Sequence, residues 1–473
     1  MSSQSAIFNR NRGPWKTAGM LSILGMLMCA PALRASAGVS ATTASPSAHT
    51  FYVATDGNDS NPGTLSQPFA TAQHCLTQGA GTTCYVRAGS YAPANIPDCD
   101  CGIEFLYANE TLSYYPPDGV DSADFTGGST ESDNGLVSIV SIGNSTNATI
   151  NGLSFHNFQY SGIGSGGGTF NPTVENSLIY NGYYVPGSAA NPGGISCYGC
   201  ANANFNHNVI HDIAAWGIVF GNVNGNISGL SWTYNVIYNT CTGLEDCGAI
   251  YIQDNSATAT NMTVSFNYIE DGNTYAGLGS GYGQALYLDD CTSNVTLEGN
   301  VVTGRNGSNT TMIHGGNNDH YIRNLIDLTS YAQNIMAFQT SGGPGCSAGT
   351  MSGNEVESNV IIGQGGGGGY TKLSGSPLNS PTIENNDYYN YGGSAISSEG
   401  AYNDSNPVKQ NPRLSSCYVV ASNSPVLASP VSFRKLPIHW GPPGYVIPNS
   451  ASAPSYLPSC IYWELGLSNG GHE

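Results

Sequence analysis

Hydrophobic positions along this chain come in short alternating bursts, not in helical stripes. One burst recurs: an apolar residue, two variable positions, an asparagine, one variable position and a second apolar residue. It reads "FNHNVI" up to Ile210, "WTYNVI" up to Ile237 and "VSFNYI" up to Ile269, then "LEGNVV", "YIRNLI", "VESNVI" and "IENNDY". The asparagines are Asn208, Asn235, Asn267, Asn300, Asn324, Asn359 and Asn386; Ser177 and Leu153 take the same slot in two earlier copies. The nine copies lie 24 to 35 residues apart.

Each burst has the period of a strand and is flanked by Gly, Asn, Ser and Thr. A strand this short cannot bury its apolar face alone, so successive copies must stack on a shared core. Asparagines in register along such a stack can form a hydrogen-bonded ladder that satisfies backbone groups at each corner. No helical periodicity of useful length is present, and 62 glycines oppose helices as well. An all-β solenoid of about nine or more coils is expected, with loops of different length between its strands.

A second strand precedes the asparagine burst in each coil. Three consecutive coils supply "GAIYIQDN" from Gly248, "QALYLDDC" from Gln284 and "TMIHGGN" from Thr311. Ile250 and Ile252 match Leu286 and Leu288 as inward residues. Alternation then turns Tyr251, Gln253, Tyr287 and Asp289 outward on one face. His314 joins that face, and Gln339 of "MAFQTS" extends it. Such an aromatic and polar strip suits stacking on sugar rings and hydrogen bonding to their hydroxyls.

Carboxylates gather around the strip. Glu245, Asp246, Asp254, Glu270, Asp271, Asp289 and Asp290 are seven of the 31 acidic residues, within 46 positions. A glycosidase needs one carboxyl as acid and another as nucleophile or base. Carboxylates facing the same way on adjacent rungs, about 4.7–4.9 Å apart, would stand near the roughly 5–5.5 Å of retaining enzymes. Aspartates after strands are also common turn formers, so Asp290, Asp254 and the Glu270–Asp271 pair before Gly272 each have a structural reading too.

The ends of the chain read differently. Arg10, Arg12 and Lys16 precede an apolar stretch from Ala18 to Ala32, and "ASA" at Ala35 to Ala37 offers a small-residue cleavage site. A signal peptide over residues 1–37, cleaved near Ala37, implies a secreted protein, extracellular or periplasmic. No later apolar run approaches a membrane span. The remaining boundaries are expected at 38–49 for a linker, 50–135 for an N-terminal cap and first coils, 136–400 for the solenoid core and 401–473 for a C-terminal cap. Without the leader, 8 basic residues face 31 acidic ones. That balance disfavours nucleic acid, anionic membranes and polyanionic substrates lacking a bridging cation. Twelve cysteines remain, with local pairs Cys75–Cys84, Cys197–Cys200 and Cys241–Cys247 plausible in an oxidising compartment.

The stack resembles a right-handed parallel β-helix of the pectate-lyase-like superfamily. "FYVATDGNDSNPGTLSQPFAT", from Phe51 to Thr71, resembles the start of many secreted bacterial members, and "NPVKQNPRLSS…NSPVLASP" resembles their C-terminal segment. "EDCGAIY" and "YLDD…GNVV…IHGGNN" are similar to motifs of β-helical glycoside hydrolases of the xylosidase and fucosidase/xylanase types. That resemblance implies catalytic roles for Asp246 and for Asp289 or Asp290, with Tyr251, Gln253, Tyr287, His314, Glu270 and Gln339 as substrate-binding candidates on the residue reading. Cys247 stands where the resemblance suggests glycine. A monomeric glycoside hydrolase acting on a plant or bacterial polysaccharide needs no cofactor, although the acidic cluster could hold Ca²⁺. Two alternatives stand beside it. One is a polysaccharide lyase or epimerase using Ca²⁺ or a cation such as Arg305, Arg323 or Lys372. The other is a glycan-binding or structural β-helix without catalysis.

Overall fold

The computed structural model describes residues 49–441, except 129–137, 144, 166–167, 185–191, 222–227, 244–245, 255–259, 271–282, 304–308, 330–332, 340–350, 364–366, 375–378, 393–395, 399, 416–417 and 437–439. The expected signal peptide, Glu245, Asp271 and Arg305 lie outside the described residues. Three long parallel sheets wrap around one core: a first sheet of 12 strands, a second of 10 and a third of 11. Each coil visits the second sheet, then the first, then the third. The fold is a right-handed parallel β-helix. Among the described residues the only α-helix is Ala72–Leu76, capped by Thr71 and tied by the Cys75–Cys84 disulfide.

The asparagine burst is two strands, not the one expected from alternation. Asn204–Asn206 belongs to the first sheet and Val209–Ile213 to the third. Between them His207 takes a left-handed conformation with φ 54°. The residue before every ladder position does likewise: Tyr234, Phe266, Gly299, Arg323, Ser358 and Asn385 all have φ between 58° and 67° or near it, at 54° for Arg323. One left-handed residue turns an extended chain sharply, so the pattern breaks into two short faces meeting at a corner. Alternation runs through the corner, which is why the sequence reads as one strand.

The ladder closes that corner. Asn208 Nδ2 donates to Asn235 Oδ1 at 3.0 Å, Asn235 to Asn267 at 2.9 Å, Asn267 to Asn300 at 2.9 Å and Asn300 to Asn324 at 3.0 Å. It continues through Asn359 to Asn386, which donates to Asp404 at 2.8 Å. Each Oδ1 also accepts the backbone N–H of the asparagine one coil earlier. Every amide is fully buried and bonded on both ends, the condition under which polar groups can enter a core.

Apolar columns fill the interior. In the first sheet Ile150, Val174, Phe205, Trp232, Val264, Leu297, Tyr321 and Val356 follow one another in register. Phe205 and Trp232 stack with centroids 5.7 Å apart. The outer face of the third sheet is covered by the C-terminal segment, whose Tyr418, Val420, Val426, Val431, Phe433, Leu436 and Trp440 pack on Val209, Val236, Tyr268 and Val301. The second sheet's outer face lacks that cover among the described residues, and the candidate site lies there.

The expected local disulfides are present: Cys75–Cys84, Cys197–Cys200 and Cys241–Cys247, joined by Cys99–Cys101. Among the described residues no helix is long and apolar enough to cross a membrane.

Candidate active site

Two neighbouring strands of the second sheet, Cys247–Gln253 and Gly283–Asp289, set the geometry. Ile250 pairs with Leu286 and Ile252 with Leu288, all inward and buried in the core. Tyr251 therefore stands beside Tyr287, and Gln253 beside Asp289, on the outer face. The next rung places Met312 beside Tyr287 and, two positions on, His314 beside Asp289. His314 is in register with Gln339. Gln253, Asp289, His314 and Gln339 thus form one lane, and Tyr251, Tyr287 and Met312 a second. The strip expected from alternation exists, but it is far from open: Tyr251, Tyr287, Asp289 and His314 are all buried.

Asp289 is the hub. Its Oδ1 accepts the Asp290 amide at 2.8 Å and lies 2.5 Å from His314 Nδ1; its Oδ2 accepts the Tyr251 hydroxyl. Burial alone would push its carboxyl up. The hydrogen bond and charge of His314, with the Tyr251 hydroxyl and the Asp290 amide, outweigh burial and hold it below the usual aspartate value. The group is therefore an ionised carboxylate at neutral pH. Both tyrosines are pushed well above the ordinary phenol value, by burial first and then by Asp289 and Asp246, so each is a neutral donor.

Asp290 has a different local role. It and Cys291 take left-handed φ values of 45° and 69°, and the turn is pinned by Thr292 N donating to Asp289 O at 3.0 Å. Asp290 is thus a turn residue whose carboxylate still reaches the lane, accepting Gln253 Nε2 at 2.5 Å.

Asp246 approaches from the opposite end. It is exposed, sits immediately before the Cys247–Gln253 strand with φ 57°, and accepts the Tyr287 hydroxyl at 3.3 Å. Asp289 acts on the same hydroxyl electrostatically, adding to the upward shift that burial and Asp246 impose on it, and the Tyr251 and Tyr287 rings meet edge to face with centroids 5.0 Å apart. Cys247, which replaces the expected glycine, is disulfide-bonded to Cys241 and leaves this approach intact.

Glu270 reaches a different sheet from the strip. It ends the strand Tyr268–Glu270 of the third sheet, and is buried there. The clustering of seven acidic residues within 46 positions could not show this, because the corner at Phe266–Asn267 carries the chain onto another face. Asp254 is fully buried, its backbone N–H donating to Thr292 Oγ1 at 2.9 Å. Conversely, the strip has a member that alternation over three coils did not reveal. Trp216 opens the strand Trp216–Gly221 one rung below Tyr251, and their rings lie 5.5 Å apart. Aligning "WGIVFG" with "GAIYIQ" would have found it.

Asp289, Asp290 and His314 could each present one ligand atom to a metal, all within 4.8 Å. The donor set does not fit Ca²⁺, which takes six to eight oxygens: one of the three donors is an imidazole, and its Nδ1 is already committed to Asp289. Of the cations a lyase would use, Arg323 sits at a ladder corner with Glu298 at 3.2 Å, away from the strip. Arg305 and the Lys372 side chain lie outside the described residues.

No known protein family matches the chain, and no curated protein matches it. Solved structures do. The GH136 lacto-N-biosidase from Eubacterium ramulus superposes with a TM-score of 0.54 at 14% identity, over 76% of this chain and 67% of that one. The mannuronan C-5 epimerase A-module from Azotobacter vinelandii gives 0.48 at 15% identity, over 72% and 94%. The GH87 α-1,3-glucanase catalytic unit from Streptomyces thermodiastaticus gives 0.44 at 15%, over 70% and 61%. All three are parallel β-helix enzymes that act on carbohydrates. At 14% identity the likeness to the lacto-N-biosidase bears on the fold alone, and the chemistry rests on the site itself.

Proposed function

We propose that this protein is a secreted glycoside hydrolase whose reacting carboxylates are Asp289 and Asp246, with Asp290 supporting the first. The observation that carries this reading is the packed tyrosine pair between the two carboxylates: Tyr251 donates to Asp289, Tyr287 donates to Asp246 at 3.3 Å, and the two rings meet edge to face with centroids 5.0 Å apart. Asp289, held ionised and fixed by the Tyr251 hydroxyl, His314 and the Asp290 amide, is the nucleophile or base. Asp246, exposed at the mouth, is the acid that meets the leaving oxygen. Tyr251, Gln253 and His314 hold Asp289 and its turn in place, and Gln339 prolongs the lane for substrate hydroxyls. The excess of 31 acidic over 8 basic residues outside the leader favours a neutral sugar over a uronate, and with it hydrolysis over elimination. The disulfides and the leader-like N-terminus support secretion.

The test is a panel of plant and bacterial glycans assayed for new reducing ends and for the ultraviolet absorbance of an unsaturated uronate. Reducing ends without that absorbance support hydrolysis. Absorbance would make the protein a lyase, and binding without any product would make it a binding module. Asp289→Asn and Asp246→Asn should each lower turnover by about 10³-fold or more. Full activity in both variants would place the site elsewhere.

A further inference from the structure

Trp216 is the one described tryptophan outside the core: Trp232 and Trp440 are fully buried, whereas Trp216 is half-buried on the outer face of the second sheet. Its lane is otherwise empty on both sides. Gly193 is its partner on the rung below, and Gly248, through the pairing of Ile218 with Ile250, stands on the rung above. Neither glycine has room for a side chain. A Cβ at Gly193 would lie 2.5 Å from Ser196 Oγ, and one at Gly248 would lie 2.9 Å from the Ile250 carbonyl oxygen. The indole therefore projects between two notches, its ring tilted 39° against Tyr251.

Its polar atom points the wrong way for a solvent-facing tryptophan. Nε1 is buried and has no hydrogen-bond partner, while part of the ring is exposed. A buried indole N–H normally finds an acceptor, and leaving it without one is unfavourable. The orientation gives up that bond and leaves apolar ring surface exposed on the outer face of the second sheet. Trp216 lies one rung from the strand that follows Asp246 and two rungs, about 10 Å along the helix axis, from the strand that carries Asp289, on the N-terminal side of both.

We infer that Trp216 is a sugar-stacking platform, which binds a neutral pyranose ring of the substrate lying toward the N-terminal end of the β-helix from the reacting bond. The inference rests on the proposed hydrolase reading for the direction of the chain, but stacking itself does not require catalysis. It also specifies the substrate as an oligomer that runs along the axis of the coils.

Trp216→Ala and Trp216→Phe are compared with the unmodified protein on xylo-, cello- and galacto-oligosaccharides from di- to pentasaccharide, and on aryl monoglycosides. Intrinsic fluorescence is titrated with the same sugars. The expected result is a rise in KM of about tenfold for Trp216→Ala on the longer substrates, with kcat and the thermal midpoint little changed and Trp216→Phe restoring part of the loss. Aryl monoglycosides should be unaffected. Sugar binding should quench fluorescence in the unmodified protein and not in Trp216→Phe. Unchanged KM on every length, or a quench that survives in Trp216→Phe, overturns the platform while leaving hydrolysis standing. A quench lost in Trp216→Phe without hydrolysis of any glycan keeps the platform and removes the hydrolase.

Discussion

Replacing Asn267 by alanine tests how much the buried ladder contributes to this fold. Its Oδ1 accepts both the Asn235 backbone N–H and the Asn235 Nδ2, each at 2.9 Å. Its Nδ2 donates to the Trp232 carbonyl and to Asn300 Oδ1, both at 2.9 Å. Alanine leaves the Asn235 N–H and the Trp232 carbonyl without these partners in a site no water reaches in the folded state. At about 1–3 kcal/mol for each stranded group, the loss is about 3–5 kcal/mol. The sequence supplies its own control, since Ser177 occupies a ladder slot and its hydroxyl accepts the Leu153 N–H at 3.4 Å. Asn267→Ser should keep an acceptor for Asn235 and cost about half as much as alanine. Urea unfolding followed by circular dichroism measures both. Because coils couple mainly to their neighbours, hydrogen exchange should speed up first in the coils carrying Trp232 and Val264. An alanine variant within about 0.5 kcal/mol of the parent, or one no worse than serine, would refute the idea that backbone satisfaction is what the ladder provides.

Other consequences concern pH and the hub carboxylate. Burial pushes Glu110 and Asp387 up to about 7, and Asp121 and Asp319 well above the aspartate value. A carboxyl raised in the folded state contributes stability that is complete below its unfolded value near 4 and is lost as pH climbs toward the folded value. Thermal midpoints should therefore fall between about pH 4 and pH 7, and Asp387→Asn should flatten that slope; a midpoint that rises over the upper part of this interval, where Asp289 no longer titrates, would contradict the burial argument. Asp289 has the opposite sign, its contribution persisting until pH drops below the ordinary aspartate value. Tyr251→Phe removes a donor to Asp289, so the acid limb of the kcat/KM profile should move to higher pH by up to about one unit, with turnover reduced about tenfold. An acid limb that stays in place would show that Tyr251 does not tune this carboxylate.

The repeat made the solenoid legible before any coordinates, because each asparagine slot records a backbone need that only a stacked neighbour can meet. Alternation likewise placed Tyr251, Tyr287, Asp289 and His314 on one face, since strand period and register are local properties that survive stacking. It could not show that the asparagine strand bends at His207 and its equivalents, as left-handed residues there include His, Tyr, Phe, Arg and Ser, none of which announces a corner. For the same reason Glu270, close to the strip in sequence, ended on another sheet. Trp216, distant from the acidic cluster in sequence, came to lie beside Tyr251.

Composition and spacing by themselves determined a stack of short strands with an internal amide ladder and an acidic, aromatic stretch within it. Only the tertiary structure decided that Asp289 collects donors from three rungs, that Asp290 turns the chain while its carboxylate faces Gln253, and that the neighbouring Tyr251 and Tyr287 donate to Asp289 and Asp246 respectively. The physical reason is that rungs one coil apart in space are 24 to 38 residues apart along the chain. Contacts across that distance depend on loop lengths and corner angles, which no local pattern of residues encodes.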